Sequence, residues 1–286
     1  MTDAGAGAVR GVGVLAAARA GAGGRVVSVH GKAVYLEMDG SLIALVSAGL
    51  EAGPLHLRSG PLPPAVAGER VTCDGSRIAA RAWAVRCDVP VWEGALPDPW
   101  PAVREVGTGS PDGVAGVSGT AGEPIVTGAG EPETAIPGDV PVAPGAVHEA
   151  TRAGAVEDLA RLLGGRGPGL TPAGDDLLAG LVLAARARWG TVAQSRLVTA
   201  VDAVRTTRQA QAFLHWAARG QCLAPAHDVL VALAGGDTAT EEGAGQRLES
   251  VGASSGRCLL AGLRIGAAQL PRLDTQSTRA GAEVAL

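Results

Sequence analysis

The sequence predicts an α+β chain: a small N-terminal β domain, a flexible Gly/Pro-rich linker, and a C-terminal α-helical domain carrying two Gly-rich loop–helix units. Three observations predict it. The apolar period is two from Arg25 to about Trp92, it lengthens to three or four from His148 onward, and the stretch between them has no period at all. With 286 residues the chain has room for one large or two modest domains with real cores.

Residues 1–24 are expected to be flexible or helical; the run Val12 to Ala18 behind Arg10 is too short for a secretory leader. The β-rich domain follows over 25–101. Its strands are predicted at 25–29 (RVVSV), 32–38 (KAVYLEM) and 42–46 (LIALV), with another from Ile78 to Val85. Asp39-Gly40 between the second and third is a hairpin signal, because a type I′ turn needs positive φ at both central residues. Residues 102–147 run through Gly, Pro, Val, Thr and Glu without an apolar face, a composition that cannot offset its own ordering entropy, and are expected to form a disordered linker or insertion. The α-helical domain, 148–271, presents helical spacing at 148–163, 175–188, 192–205, 207–219, 226–234, 241–250 and 257–270. A flexible tail is expected over 272–286.

Composition narrows the function. The balance of 24 Lys+Arg against 28 Asp+Glu, a net charge of -4, argues against nucleic-acid and membrane-surface partners, which require a basic face. The longest apolar run, Leu177 to Ala185, is cut off by Arg186 well short of a membrane span. Cys73, Cys87, Cys222 and Cys258 lie far apart without metal-ligand spacing, so free thiols in a soluble cytoplasmic protein are expected. The chain has one lysine, one tyrosine and one phenylalanine (Lys32, Tyr35, Phe213) and no asparagine, a skew that reads as GC-rich codon usage.

The most specific stretch is 165–180, GRGPGLTPAGDDLLAG. Gly167-Pro168-Gly169-Leu170 suits a type II turn, with Gly169 supplying the positive φ at its third position. Thr171 reads as the N-cap of a helix with Pro172 in its first turn. Uncovered backbone N–H groups in such a loop, together with a helix N-terminus, make an anion cradle. Asp175 and Asp176 complicate it, since they repel an anion unless a cation or a substrate amide lies between. Successive helix positions point about 100° apart, so at most one of the pair faces a site. A capped helix with an acidic first turn is the plain alternative.

A second unit echoes the first. Residues 172–181 (PAGDDLLAGL) and 254–263 (SSGRCLLAGL) match at six of ten positions with an offset of 82, Gly174 aligning with Gly256. If the match is structural rather than compositional, both helix N-termini meet at one pocket and Ser254 and Ser255 face the first loop. Thr206, Thr207 and Arg208 open a further helix and offer hydroxyls and a cation, or a simple cap. His215 and His227 read as surface or core histidines, and Cys222 and Cys258 as buried thiols.

At GPGLTPAGDD (167–176), TTRQAQAFL (206–214), AARGQ (217–221) and VGASSGRCLLAG (251–262), and more loosely at GRVVSVHGKAVYL (24–36), the chain resembles the AllH subunit family of oxamate carbamoyltransferase. The resemblance implies carbamoyl transfer between carbamoyl phosphate and oxamate in purine-nitrogen (allantoin) catabolism, with acyl-CoA-synthetase-like partner subunits. It places Thr171, Asp175 and Asp176 in catalysis, the acidic pair contacting an amide or Mg²⁺, which is the candidate cofactor. Substrate contact falls to Gly167, Gly169, Gly174, Thr206, Thr207, Ser254, Ser255 and Gly256. The pattern departs at Ala253 and Cys258, where the resembled motif carries His and Asp, and near Ala210, where it carries Ser. Those departures keep open a non-catalytic assembly or small-anion-sensing subunit.

Overall fold

The computed structural model describes residues 8–58, 60–97 and 135–273. Nine strands form one mixed sheet in the order β8-β7-β6-β2-β3-β4-β5-β1-β9. They are β1 (Val9–Gly11), β2 (Gly23–Val29), β3 (Ala33–Met38), β4 (Ser41–Val46), β5 (His56–Arg58), β6 (Arg70–Cys73), β7 (Arg77–Ala79), β8 (Ala84–Arg86) and β9 (Val91–Trp92). Helix α1 (Val12–Ala17) follows β1. The helical part comprises α2 (Pro144–Arg152), α3 (Val156–Leu163), α4 (Ala173–Trp189), α5 (Gln194–Asp202), α6 (Arg208–Ala218), α7 (Ala224–Gly235), α8 (Thr238–Glu249) and α9 (Ser255–Gln269). The α+β class stands.

The β3–β4 hairpin forms as its turn chemistry dictates: Asp39 and Gly40 take φ of 45° and 81°, the type I′ pair, and Met38 faces Ser41. Period-two patterning then sorts β3. Val34, Leu36 and Met38 are fully buried under the sheet, while Ala33, Tyr35 and Glu37 point the other way. Strand β4 lacks alternation because both of its faces are covered: Ile43 and Leu45 join the sheet's own core, and Leu42, Ala44 and Val46 are buried on the face that Tyr35 and Glu37 share.

Several boundaries differ from the sequence reading. The strand expected from Ile78 to Val85 is a hairpin, β7 and β8, closed by Ala80 N–H to the Trp83 carbonyl (2.9 Å). The helix expected over 148–163 is two helices, broken where Gly154 turns to φ 64°. Of the stretch expected to be flexible or helical, Val12–Ala17 is helix α1, and Val9–Gly11 pairs with both β5 and β9 in the sheet. Residues 98–134, most of the expected linker, lie outside the described residues, as do 1–7 and 274–286. Of the remainder, Val140 and Val147 bury against the helical core and α2 begins at Pro144.

The helical core is organised by α4 and α9. A Cβ built on Gly180 would stand 2.9 Å from the Gly262 Cα and 2.2 Å from the Leu259 carbonyl oxygen; one on Gly262 would stand 2.2 Å from the Leu177 carbonyl oxygen. The helices therefore touch backbone to backbone, run in the same direction, and start side by side. Each start is braced in the same way. Gly174 leans on the Leu163 carbonyl of α3, and Gly256 on the Leu248 carbonyl of α8. The repeat seen in sequence is thus a repeated helix–loop–helix unit.

A short segment ties the sheet to the helices. Gln221 hydrogen-bonds both the Gly94 N–H (2.9 Å) and the Gly94 carbonyl (3.0 Å). His227 accepts the Cys222 N–H at Nε2 (3.0 Å), which leaves Nδ1 to donate to the Ala95 carbonyl (2.9 Å). That pairing fixes a neutral imidazole, and burial indeed pushes the His227 pKa down. Among the described residues no helix is long and apolar enough to cross a membrane.

Backbone contact at the glycines is directly testable. Gly180→Ala or Gly262→Ala gains about 1 kcal/mol of helix propensity but forces the helices apart, and the net result should be a loss of about 2 kcal/mol or more in urea unfolding. Gly243→Ala in α8, where an added Cβ meets nothing within 4 Å, is the control and should be neutral or stabilising. Equal effects at 180 and 243 would contradict the close approach.

Candidate functional site

The loop between α3 and α4 is shaped by three glycines in left-handed or extended-positive conformation, Gly165 (φ 69°), Gly167 (φ 116°) and Gly169 (φ 98°). Gly169 keeps the positive φ expected of it, and the space around its Cα is open. Thr171 is not the N-cap of α4. Pro172 holds that position in extended conformation without a side-chain cap, and the Thr171 hydroxyl instead meets the Ser255 hydroxyl at 2.9 Å. The loop's tertiary partner has taken the group that local capping would have used.

Asp175 is buried and fully engaged. Its Oδ1 accepts the Gly165 N–H (2.8 Å) and its Oδ2 accepts the Thr206 hydroxyl. Thr207 caps α6 by accepting the Ala210 N–H (3.1 Å) and donates its own proton to the Leu170 carbonyl. The Thr206–Asp175 and Thr207–Leu170 bonds stitch the start of α6 to the start of α4, as Thr171 and Ser255 stitch the start of α9. Three helix N-termini converge, and their positive dipole ends add.

Asp176 lies at that convergence. The Thr171–Ser255 hydroxyl pair acts on its carboxyl, yet its Oδ2 is buried with no hydrogen-bond partner among the described residues. Burial pushes the pKa up to about 7, the Ser255 hydroxyl holding it down, the charge of Asp175 adding to the rise and the Thr171 hydroxyl opposing it. Burial likewise raises Asp175, against the bonds from Thr206 and Gly165. The two carboxyls are neighbours in sequence with different tasks: one fastens the loop, the other is left open. An amide N–H or a cation would satisfy the open oxygen. Among the described residues no group of three or more His, Cys, Asp or Glu is placed to hold a metal; Mg²⁺, which takes one or two carboxylates with waters and ligand oxygens, would find this single oxygen here.

Strand β3 approaches from the other side. The Tyr35 phenol is pushed up first by burial and then by the charge of Asp176. Glu37 grips the Arg208 guanidinium with both oxygens (3.1 and 2.9 Å) and also receives Arg25 (3.1 Å). Arg208 and Arg25 together hold the Glu37 carboxyl below its usual range.

The structure thus gathers Thr171, Asp175, Asp176, Thr206, Thr207 and Ser255 in one place. Ser254 sits half-buried at the N-cap position of α9 without a capping side-chain bond. Gly174 and Gly256 are buried spacers against the preceding helices, Gly167 is half-buried against the Ala173 backbone, and Gly169 is exposed. His215 is part of a surface pair with Asp202 (2.6 Å). Burial pushes the Cys222 thiol up to about 12 and the Cys258 thiol up to about 11, which leaves both protonated. Sequence reasoning missed Tyr35 and Glu37 as site neighbours. Their signals were the alternation of β3, which shows that they share a face and not what that face meets, and for Tyr35 the loose resemblance over 24–36.

Residues 163–267 match the model of a protein family described as oxamate carbamoyltransferase subunit AllH. The matched span runs from the end of α3 through most of α9, so it contains all three converging helix starts and makes this part of the chain AllH-like. No curated protein and no solved structure matches the chain.

The acidic pair should separate in a pH series. Asp176 is raised from 3.8 to about 7, so the native state binds more protons than the unfolded state between those values. Stability is therefore eroded as pH rises through that window, and the full penalty stands above about pH 7. Asp176→Asn should stabilise the protein at pH 8 by roughly 2–4 kcal/mol, a gain that vanishes below about pH 4. Asp175→Ala should destabilise it by about 2–3 kcal/mol at pH 7, since the Gly165 N–H and Thr206 hydroxyl lose their acceptor. Denaturant unfolding of both variants checks this, and loss of stability in both would remove the distinction.

Proposed function

We propose that this AllH-like chain is a subunit of an oxamate-type carbamoyltransferase and takes a small anionic substrate where α4, α6 and α9 begin. The family description supports a subunit of that enzyme. The observation that carries the site is the buried, unpaired Oδ2 of Asp176 beside three helix N-termini. A carbamoyl amide offers the N–H that this oxygen lacks, and a phosphate or carboxylate suits the N–H groups of the Gly167–Gly169 loop. One ligand carries both ends.

Carbamoyl transfer needs the acceptor nitrogen to attack the carbamoyl carbon, the bond from that carbon to the phosphate oxygen to break, and the nitrogen to shed a proton. A carboxyl titrating near 7 is matched to accepting that proton. In this reading Asp176 accepts it and orients the amide, Thr171 and Ser255 orient Asp176, and Asp175 with Thr206 and Thr207 holds the three helix starts in register. Partner subunits, acyl-CoA-synthetase-like in this proposal, complete the enzyme, and its place is purine-nitrogen (allantoin) catabolism.

A second reading, a non-catalytic assembly or small-anion-sensing subunit, is favoured by Cys258. Its buried, protonated thiol stands where the resembled motif has an aspartate, so the α9 unit brings no carboxylate of its own. Reconstitution with the partner subunits decides between the two. Asp176→Asn should lower kcat for carbamoyl transfer by about 10²–10⁴-fold, the range for losing a positioned acid–base group. Unchanged turnover would assign the chemistry to the partners and this chain to the second role.

A further inference from the structure

We propose that the sheet completes the site: Tyr35 and the Glu37-held Arg208 form the wall opposite Asp176 and bind the anionic end of the ligand whose N–H end Asp176 receives. The proposal rests on the reading of the three converging helix starts as the substrate site, and it assigns two residues to that site that lie outside the Gly-rich loops. Three observations on separate elements lead to it.

The first is a pair of polar groups without partners on facing walls. Asp176 Oδ2 is buried and unpaired on the helical side. On the sheet side the hydroxyl of half-buried Tyr35 makes no hydrogen bond among the described residues, and it shares its face of β3 with Glu37, which reaches Arg208 at the start of α6. A phenol is a donor and an ionised carboxylate an acceptor, so a direct bond between them would satisfy both. In this proposal a ligand bearing an acceptor for the phenol and a donor for the carboxyl joins the two, and the Glu37–Arg208 ion pair is the contact that brings this face of β3 to the start of α6.

The second is charge. Glu37 is shared by Arg208 and Arg25, so two guanidinium groups face one carboxylate and the cluster keeps a net positive charge. Glu37 takes one N–H from each terminal nitrogen of Arg208, which leaves the Nε–H edge for a second, bidentate partner. Arg208 is also the first residue of α6, directly after the Thr206 and Thr207 that fasten the helix starts.

The third is spacing. Tyr35 and Glu37 point to the same face of β3, one strand repeat of about 7 Å apart. Arg208 is bound to Glu37, so its guanidinium is carried on the same face of the sheet as the Tyr35 phenol, and the pair offers a hydroxyl donor and a cation to one small anionic group.

Tyr35 is the chain's single tyrosine, so tyrosinate absorbance reports on this wall alone. Binding of carbamoyl phosphate, oxamate and inorganic phosphate should be measured by calorimetry on the wild type and on Tyr35→Phe, Arg208→Gln and Asp176→Asn. Tyr35→Phe should weaken the phosphorylated or carboxylated ligand roughly tenfold, the worth of one hydrogen bond to a charged group, with its melting temperature unchanged. Arg208→Gln should weaken it by a similar factor and flatten the salt dependence. Saturating ligand should move the alkaline titration of Tyr35, and Asp176→Asn should lower its midpoint. Weakening by Asp176→Asn alone, with Tyr35→Phe and Arg208→Gln at wild-type affinity and the tyrosinate titration fixed, keeps the site at the helix starts and overturns the sheet wall. Phosphate binding through Tyr35 and Arg208 without carbamoyl transfer in the reconstituted complex keeps the wall and overturns the proposed function. A wild type that binds none of the three overturns both.

Discussion

The contact between Gly180 and Gly262 is what the rest of the helical architecture depends on. Two helices can run in parallel at backbone distance only where neither carries a side chain, and here each glycine lies against the other helix's carbonyls. Parallel helices that touch in this way bring their N-termini to the same end, against the electrostatic preference for antiparallel dipoles. The dispersion and apolar burial of the core offset that repulsion: Leu177, Leu178, Leu181 and Leu263 are all essentially removed from solvent. What is left at the shared end is a concentration of positive partial charge, which favours an anion there.

Against that background the two aspartates behave as a divided pair. Rotation of about 100° between successive helix positions turns Asp175 toward the loop and the α6 start, where two donors hold it, and turns Asp176 toward the seam between helices and sheet. Leaving a carboxyl oxygen buried and unpaired is destabilising in the resting protein. Such local inconsistencies, in a structure otherwise well satisfied, concentrate where a ligand completes the network.

The seam itself is maintained by contacts that are far apart in sequence. Gln221 and His227 hold the segment after β9, Ala224 donates to the Ala52 carbonyl (2.8 Å), and Arg208 reaches Glu37. Because β4 is covered on both faces, the sheet cannot shift against α6 without exposing apolar surface. The opposition of β3 to the three helix starts is therefore fixed by packing as well as by polar bonds, and the geometry of the site belongs to both halves.

Much of this was legible in the residues. The change of apolar period separates sheet from helices, Asp39-Gly40 specifies its own turn through φ, and the echo of LLAGL with its leading glycine marks both halves of the helical repeat, because each of these is written in local conformational preference. Where the reading erred it did so for tertiary reasons. Thr171 was available to cap α4, but Ser255, 84 residues away, engages its hydroxyl; the strand at Ile78–Val85 folds back between Ala80 and Trp83, so that β7 pairs with β6 on one side and β8 on the other. The separate roles of Asp175 and Asp176, and the arrival of Tyr35 and Glu37 opposite them, were not in the sequence at all. Burial, desolvation and the absence of a hydrogen-bond partner are properties of what surrounds a side chain, and only the folded chain decides what that is.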